Sequence, residues 1–124
     1  MSKSPLSGLN VLVLEDELLL RKRLAGFLEK EGASVTAVGT VGAARQAAES
    51  LPFDVALLDV NLPDGRGTDL LRDKVFSATT NVLVMTAEGG VAGAVEAVRA
   101  GASDYLVKPF DPTKLIEVIG KVIR

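Results

Sequence analysis

The sequence predicts an α/β protein with five parallel strands in one doubly wound sheet and helices on both faces, a (βα)5 order. Three observations predict it. Short apolar runs alternate with stretches of helical spacing along the whole chain. The runs are apolar on both faces, as strands buried between two helix layers must be. At 124 residues and 48% hydrophobic content, the chain fits one domain able to build its own core.

Taken in order, Asn10-Val11-Leu12-Val13-Leu14 is the first run and stops at Glu15-Asp16. Leu20, Leu24, Phe27, Leu28 and Glu31 then keep helical spacing, and Gly32 serves as C-terminal cap. Ser34-Val35-Thr36-Ala37-Val38 is a weaker second strand. An alanine-rich helix follows from Val41 to Ser50, with Thr40 as N-cap and Pro52 beyond its end. Val55-Ala56-Leu57-Leu58 is the third run and stops at Asp59; Gly65 and Gly67 lie in the turn-rich segment after it. Thr68 to Lys74 makes a short third helix. Val82-Leu83-Val84-Met85 stops at Thr86, and Ala92 to Ala100 is a fourth helix closed by Gly101. Tyr105-Leu106-Val107 stops at Lys108. Asp111-Pro112 opens the fifth helix with an N-cap acid and a proline at the first helical position, and Leu115, Ile116, Ile119 and Val122 form its apolar stripe. Right-handed crossovers then place helices on both sides of the sheet.

Composition removes several function classes. There is no cysteine and no histidine, which excludes disulfide scaffolds, thiol catalysis, the usual zinc sites and imidazole acid–base chemistry. The net charge of −2 gives no support for direct nucleic-acid binding. The cluster Arg21-Lys22-Arg23 reads as a solvated helix face. Residues 1–8 read as a flexible polar tail and residues 9–124 as the domain. No apolar run approaches the ~20 residues of a membrane span, so a soluble, cytoplasmic protein with no membrane contact is expected. The fifth helix ends with the chain, which fits both a small complete protein and a domain of a longer one.

The chemistry lies at the strand ends. Glu15-Asp16, Asp59, Thr86 and Lys108 each close an apolar run, and in doubly wound sheets ligands bind beyond the carboxyl ends of the strands. Taken singly, Asp59 is a turn acid, Glu15-Asp16-Glu17 an acidic first helical turn, Thr86 an N-cap and Lys108 a loop lysine. Together they are two acidic positions, a hydroxyl and an ammonium directed at one rim. Carboxylates ~4 Å apart repel by ~4 kcal/mol at an effective dielectric near 20. Lys108 offsets part of that, and a hard dication held by oxygen ligands, Mg²⁺, would offset the rest. A carboxylate is also a nucleophile toward phosphorus, and phosphoryl transfer needs mainly positioning and charge neutralisation. Asp59, ending the central strand, is the candidate acceptor.

These residues resemble a known family. Leu14-Glu15-Asp16-Glu17, Asp59-Val60-Asn61-Leu62-Pro63 with Gly67, Met85-Thr86-Ala87-Glu88 and Lys108-Pro109-Phe110 are similar, in order and spacing, to bacterial response-regulator receiver domains. The segment from Gly101 to Asp111 resembles the receivers that precede σ54-dependent, NtrC-like activators. The resemblance implies a flavodoxin-like strand order, 2-1-3-4-5. It implies that Asp59 takes a phosphoryl group from a sensor histidine kinase, and that Glu15, Asp16 and Asp59 surround Mg²⁺ directly or through water. The Asn61 backbone carbonyl would be a further ligand. It implies that Thr86 shifts toward the phosphoryl group and Tyr105 changes rotamer with it, altering the surface of the fourth helix, last strand and fifth helix. Asn61 and Glu88 match positions that tune phosphoryl lifetime, and the Lys108–Pro109 bond is expected to be cis. An output domain or downstream protein, transcriptional control and a homodimer through the switching surface are further expectations. So is a chain that is no turnover enzyme but assists its own phosphorylation and dephosphorylation.

Rival readings differ in chemistry. Aspartyl phosphatases and mutases carry a general acid two residues after the nucleophile, where Asn61 stands here and offers no proton. A flavin binder must cradle phosphate in its first loop, and Glu15-Asp16-Glu17 would repel it. A receiver-like interaction module that is never phosphorylated remains as the alternative. Gly89-Gly90 before the fourth helix and Gly93 within it, at ~1 kcal/mol for an interior glycine, make that helix the most mobile element expected.

Overall fold

The computed structural model describes residues 4–87 and 91–123. The five sheet strands are β1 (Asn10–Leu14), β2 (Ser34–Val38), β3 (Val55–Asp59), β4 (Asn81–Thr86) and β5 (Asp104–Val107). The helices are α1 (Leu18–Lys30), α2 (Val41–Ser50), α3 (Thr68–Arg72), α4 (Val91–Ala100) and α5 (Thr113–Val122). All pairings in this sheet are parallel and the order is β2-β1-β3-β4-β5, as the resemblance implied. A two-residue antiparallel ribbon, Asn61–Leu62 against Gly65–Arg66, follows β3 where only a turn was expected.

Side-chain alternation divides the core. Val11, Val13, Val55, Leu57, Leu83, Met85 and Leu106 face one way, onto Leu24 and Leu28 of α1 and Leu115, Val118 and Ile119 of α5. Leu12, Leu14, Ala56, Leu58 and Val82 face the other way, onto Val41 and Ala44 of α2 and Leu70 of α3. Val84 joins Val60 and Ala97 of α4, with Tyr105 packed against them. Of the described side chains of α4, only Ala97 is buried, whereas Val95 and Val98 are exposed. Gly89 and Gly90 lie outside the described residues.

The segment expected to be a tail is partly packed. Leu6 is fully buried among the residues that join α1, α5 and the sheet. The Gly8 N–H donates to the Gly32 carbonyl at 3.0 Å, so this segment is bonded to the end of α1. Residues 4–8, read as tail, thus pack against the domain read as residues 9–124. One apolar side chain among polar neighbours carries no periodicity, which hid it from sequence reading.

Helix ends follow their capping chemistry. Thr40 Oγ1 accepts from the Ala43 N–H at 3.1 Å, as expected. Asp111 Oδ1 accepts from the Thr113 N–H at 3.0 Å, but Pro112, expected at the first helical position, stands one residue before α5, which begins at Thr113. Helix α3 stops at Arg72, two residues before the expected Lys74, because Lys74 takes a left-handed φ of 54° and the Val75 N–H turns back to the Leu70 carbonyl. Asp64, in the loop of the ribbon, accepts from the Val41 N–H at 2.8 Å and the Gly42 N–H at 3.0 Å, tying the segment after β3 to the start of α2. The Val41 and then the Gly42 bond hold its carboxyl below the ordinary 3.8. A carboxyl with a lowered folded pKa contributes stability above its unfolded value and loses it as pH falls through the folded one. In an acid titration followed by amide chemical shifts, the Val41 and Gly42 N–H signals should move with a midpoint below 3.8, and Asp64→Asn should abolish that step. A midpoint at or above the ordinary value would overturn the assignment.

Candidate functional site

Parallel pairing brings the ends of β1, β3, β4 and β5 to one edge of the sheet. Glu15 follows β1 and its N–H donates to the Val38 carbonyl at 3.0 Å, continuing the ladder past the strand. Asp59 closes β3 in register with Met85, one residue before Thr86. The Lys108 N–H donates to the Thr86 carbonyl at 2.8 Å, so the lysine leaves β5 in line with its neighbours. The Lys108–Pro109 bond is cis, as expected.

The side chains meet. Lys108 Nζ donates to Glu15 Oε1 at 2.5 Å and to Asp59 Oδ2 at 3.0 Å, joining residues 93 and 49 positions apart. Glu15, Asp59 and Thr86 are buried. One carboxylate oxygen from each of Glu15, Asp16 and Asp59 lies within 4.8 Å of the others. Tyr105 is half-buried and sits on the α4 side of the same edge. Asn61 is exposed in the ribbon, where Arg66 Nη1 donates to its Oδ1 at 3.4 Å, and Arg66 also pairs with Glu96 of α4. Glu88 lies outside the described residues.

The electrostatics follow from burial. Desolvation pushes the Glu15 carboxyl above its ordinary 4.5, and the Asp59 charge adds to the push, against bonds from Lys108 and the Glu17 N–H. Desolvation also opposes the Lys108 ammonium, but its bonds to Glu15 and Asp59 outweigh that and hold its pKa above 10.5. With all four groups ionised, three carboxylates face one ammonium. That excess of negative charge, presented through oxygen alone, fits a hard divalent cation and not a soft one.

Three features of the edge escaped sequence reading. Gly67, read as a turn glycine, stands where a Cβ would lie 1.9 Å from the Asp59 carbonyl oxygen, and its N–H donates to the Val60 carbonyl at 2.9 Å. Its reason is close approach, which no spacing rule reports. Arg21, read as part of a solvated face, turns back to the carbonyls of Glu15 and Asp16. Asp64, in the ribbon loop, caps α2; an isolated acid in a turn gives no signal of a cap on a distant helix.

The model of the response regulator receiver domain matches residues 11–120. The chain belongs to the receiver domain family. It is 32% identical over 121 residues to the chemotaxis protein CheY of Thermotoga maritima, an alignment covering 94% of this chain and 99% of that protein. The chain spans about half the length of several other curated relatives that it matches. A CheY-like receiver from Methanospirillum hungatei superimposes with a TM-score of 0.85 at 29% identity, covering 92% of each chain. A Burkholderia pseudomallei response regulator, solved with a phosphorylated aspartic acid and a calcium ion, superimposes with a TM-score of 0.82 at 28% identity over 89% of this chain and 65% of that one. The receiver is thus a two-component signalling domain and not a classical turnover enzyme. No helix among the described residues is long and apolar enough to cross a membrane.

Proposed function

We propose that Asp59 is the phosphoacceptor of this receiver and that a sensor histidine kinase is the donor. The observation that supports this most directly is the buried Asp59 carboxylate, bonded to Lys108 and grouped with the oxygens of Glu15 and Asp16. An Asp59 oxygen attacks phosphorus, a P–O bond forms, the P–N bond to the kinase histidine breaks, and the imidazole nitrogen leaves with the electron pair. Lys108, within 3.0 Å of the nucleophile, shifts its hydrogen bonds to the incoming phosphoryl oxygens. The Thr86 hydroxyl, one residue past the register partner of Asp59, hydrogen-bonds another. Glu15, Asp16, Asp59 and the Asn61 carbonyl would hold Mg²⁺. Bound there, the ion would neutralise phosphoryl charge.

Thr86 moving toward the phosphoryl group would free space for Tyr105, and the surface of α4, β5 and α5 would change for an output domain, a downstream protein or a second copy. Asn61 and Glu88 would set how long the acyl phosphate survives water, so the domain would assist its own dephosphorylation. A cytoplasmic location, where kinase and donor meet the site, goes with this reading.

Intact mass after incubation with Mg²⁺ and acetyl phosphate tests it. The wild-type chain should gain one phosphoryl group, Asp59→Asn none, and chelation of Mg²⁺ should suppress the gain. An unmodified wild type would leave the non-phosphorylated interaction module as the reading.

A further inference from the structure

Two of the three clustered acids, Glu15 and Asp16, ride on the short loop between β1 and α1. Their side chains converge only if that loop keeps one conformation. Part of its restraint is visible in the ladder bond from the Glu15 N–H to Val38, and part in the Glu17 N–H, which donates to Glu15 Oε2 at 3.1 Å. A third restraint comes from α1. Arg21 Nη1 donates to the Glu15 carbonyl at 2.8 Å and, more weakly, to the Asp16 carbonyl at 3.5 Å.

A second residue makes room for this contact. Gly39 follows β2, and a Cβ there would lie 2.5 Å from Arg21 Nη1 and 3.8 Å from the Glu15 carbonyl oxygen. Gly39 is not among the residues with left-handed φ, so its backbone does not demand glycine. The guanidinium occupies the space that a side chain at 39 would fill. Arg21 is half-buried there, unlike its exposed neighbours Lys22 and Arg23.

We propose that Arg21, seated over Gly39, is a positioning residue that fixes the Glu15-Asp16 loop so that its carboxylates are preorganised for a divalent cation. This rests on the Mg²⁺ site proposed above. The charge and the geometry of Arg21 make opposite predictions. A cation near three acids weakens binding of another cation through charge, so removing it should tighten binding. A residue that orders ligand-bearing backbone strengthens binding, and loss of such outer support typically costs 10–100-fold in metal affinity.

Calorimetric Mg²⁺ titration of the full chain separates the two. Arg21→Ala should weaken binding roughly tenfold. Gly39→Ala, which keeps the arginine but displaces its tip, should weaken it in the same direction. Arg21→Lys, which retains a donor, should fall between the wild type and Arg21→Ala. Amide exchange in chelator, with no metal present, supplies the independent readout. The Glu17 N–H should exchange faster in Arg21→Ala and Gly39→Ala than in the wild type, while amides of β3 stay protected. Unchanged or tighter Mg²⁺ binding by Arg21→Ala would overturn the proposal. If the wild type bound no Mg²⁺, the proposed function would fall instead, and unchanged Glu17 exchange in both variants would then overturn the positioning role as well.

Discussion

Gly67→Ala is expected to be the most damaging glycine-to-alanine substitution among the described residues. The added carbon would sit 1.9 Å from the Asp59 carbonyl oxygen, and that atom belongs to the backbone of the central strand, not to a side chain that can swing away. Overpacking usually costs ~1–3 kcal/mol; with backbone on one side and the Leu58 side chain 3.4 Å away, a loss at or above the top of that range is expected. Either the segment 60–67 or the end of β3 must move, and both carry the candidate site. Urea unfolding should show the lost stability, and acetyl phosphate labelling of the remaining folded protein should be slowed at least tenfold. Gly26→Ala is the matched control. Gly26 lies within α1 with nothing standing within 4 Å of its would-be Cβ, so alanine there should stabilise by up to ~1 kcal/mol through helix propensity. Equal behaviour of the two variants would refute the close-approach argument.

Leu6→Ala should destabilise by about 2–5 kcal/mol, the range for truncating a fully buried leucine. The side chain closes the core between α1 and α5, where Leu28, Ala33 and Ile119 are also buried. Pro5 lies 3.8 Å from the position a Cβ on Gly120 would take, so the N-terminal segment rests against α5 as well. The measurement is the urea midpoint at unchanged m-value. Removal of residues 1–8 should cost at least as much as the point substitution. A truncated chain as stable as the full one would restore the reading of a passive tail.

The fold was legible because its signals were redundant. Each buried strand announced itself as an apolar run, each helix as a periodic stretch, and Thr40 and Asp111 marked two helix starts by chemistry that acts within three residues. The clustered site was legible for a related reason: Glu15, Asp59 and Lys108 are placed by the ends of parallel strands, and a strand end can be read from the chain. What escaped reading depends on distances between segments. Gly67 is excluded from carrying a side chain by a carbonyl eight positions earlier, Arg21 is given its seat by Gly39, and Asp64 bonds to amides more than twenty positions before it. None of these leaves a periodic trace, and each looks like an ordinary turn or surface residue until the chain is closed.

The bridge from Lys108 to both Glu15 and Asp59 has a temporal corollary. Of the four clustered groups its ammonium is the last to be synthesised, 93 residues after Glu15 and 49 after Asp59. During synthesis Glu15, Asp16 and Asp59 are therefore all present before their counter-charge. A fragment ending before residue 108 holds every carboxylate of the cluster but lacks the ion pair that offsets them.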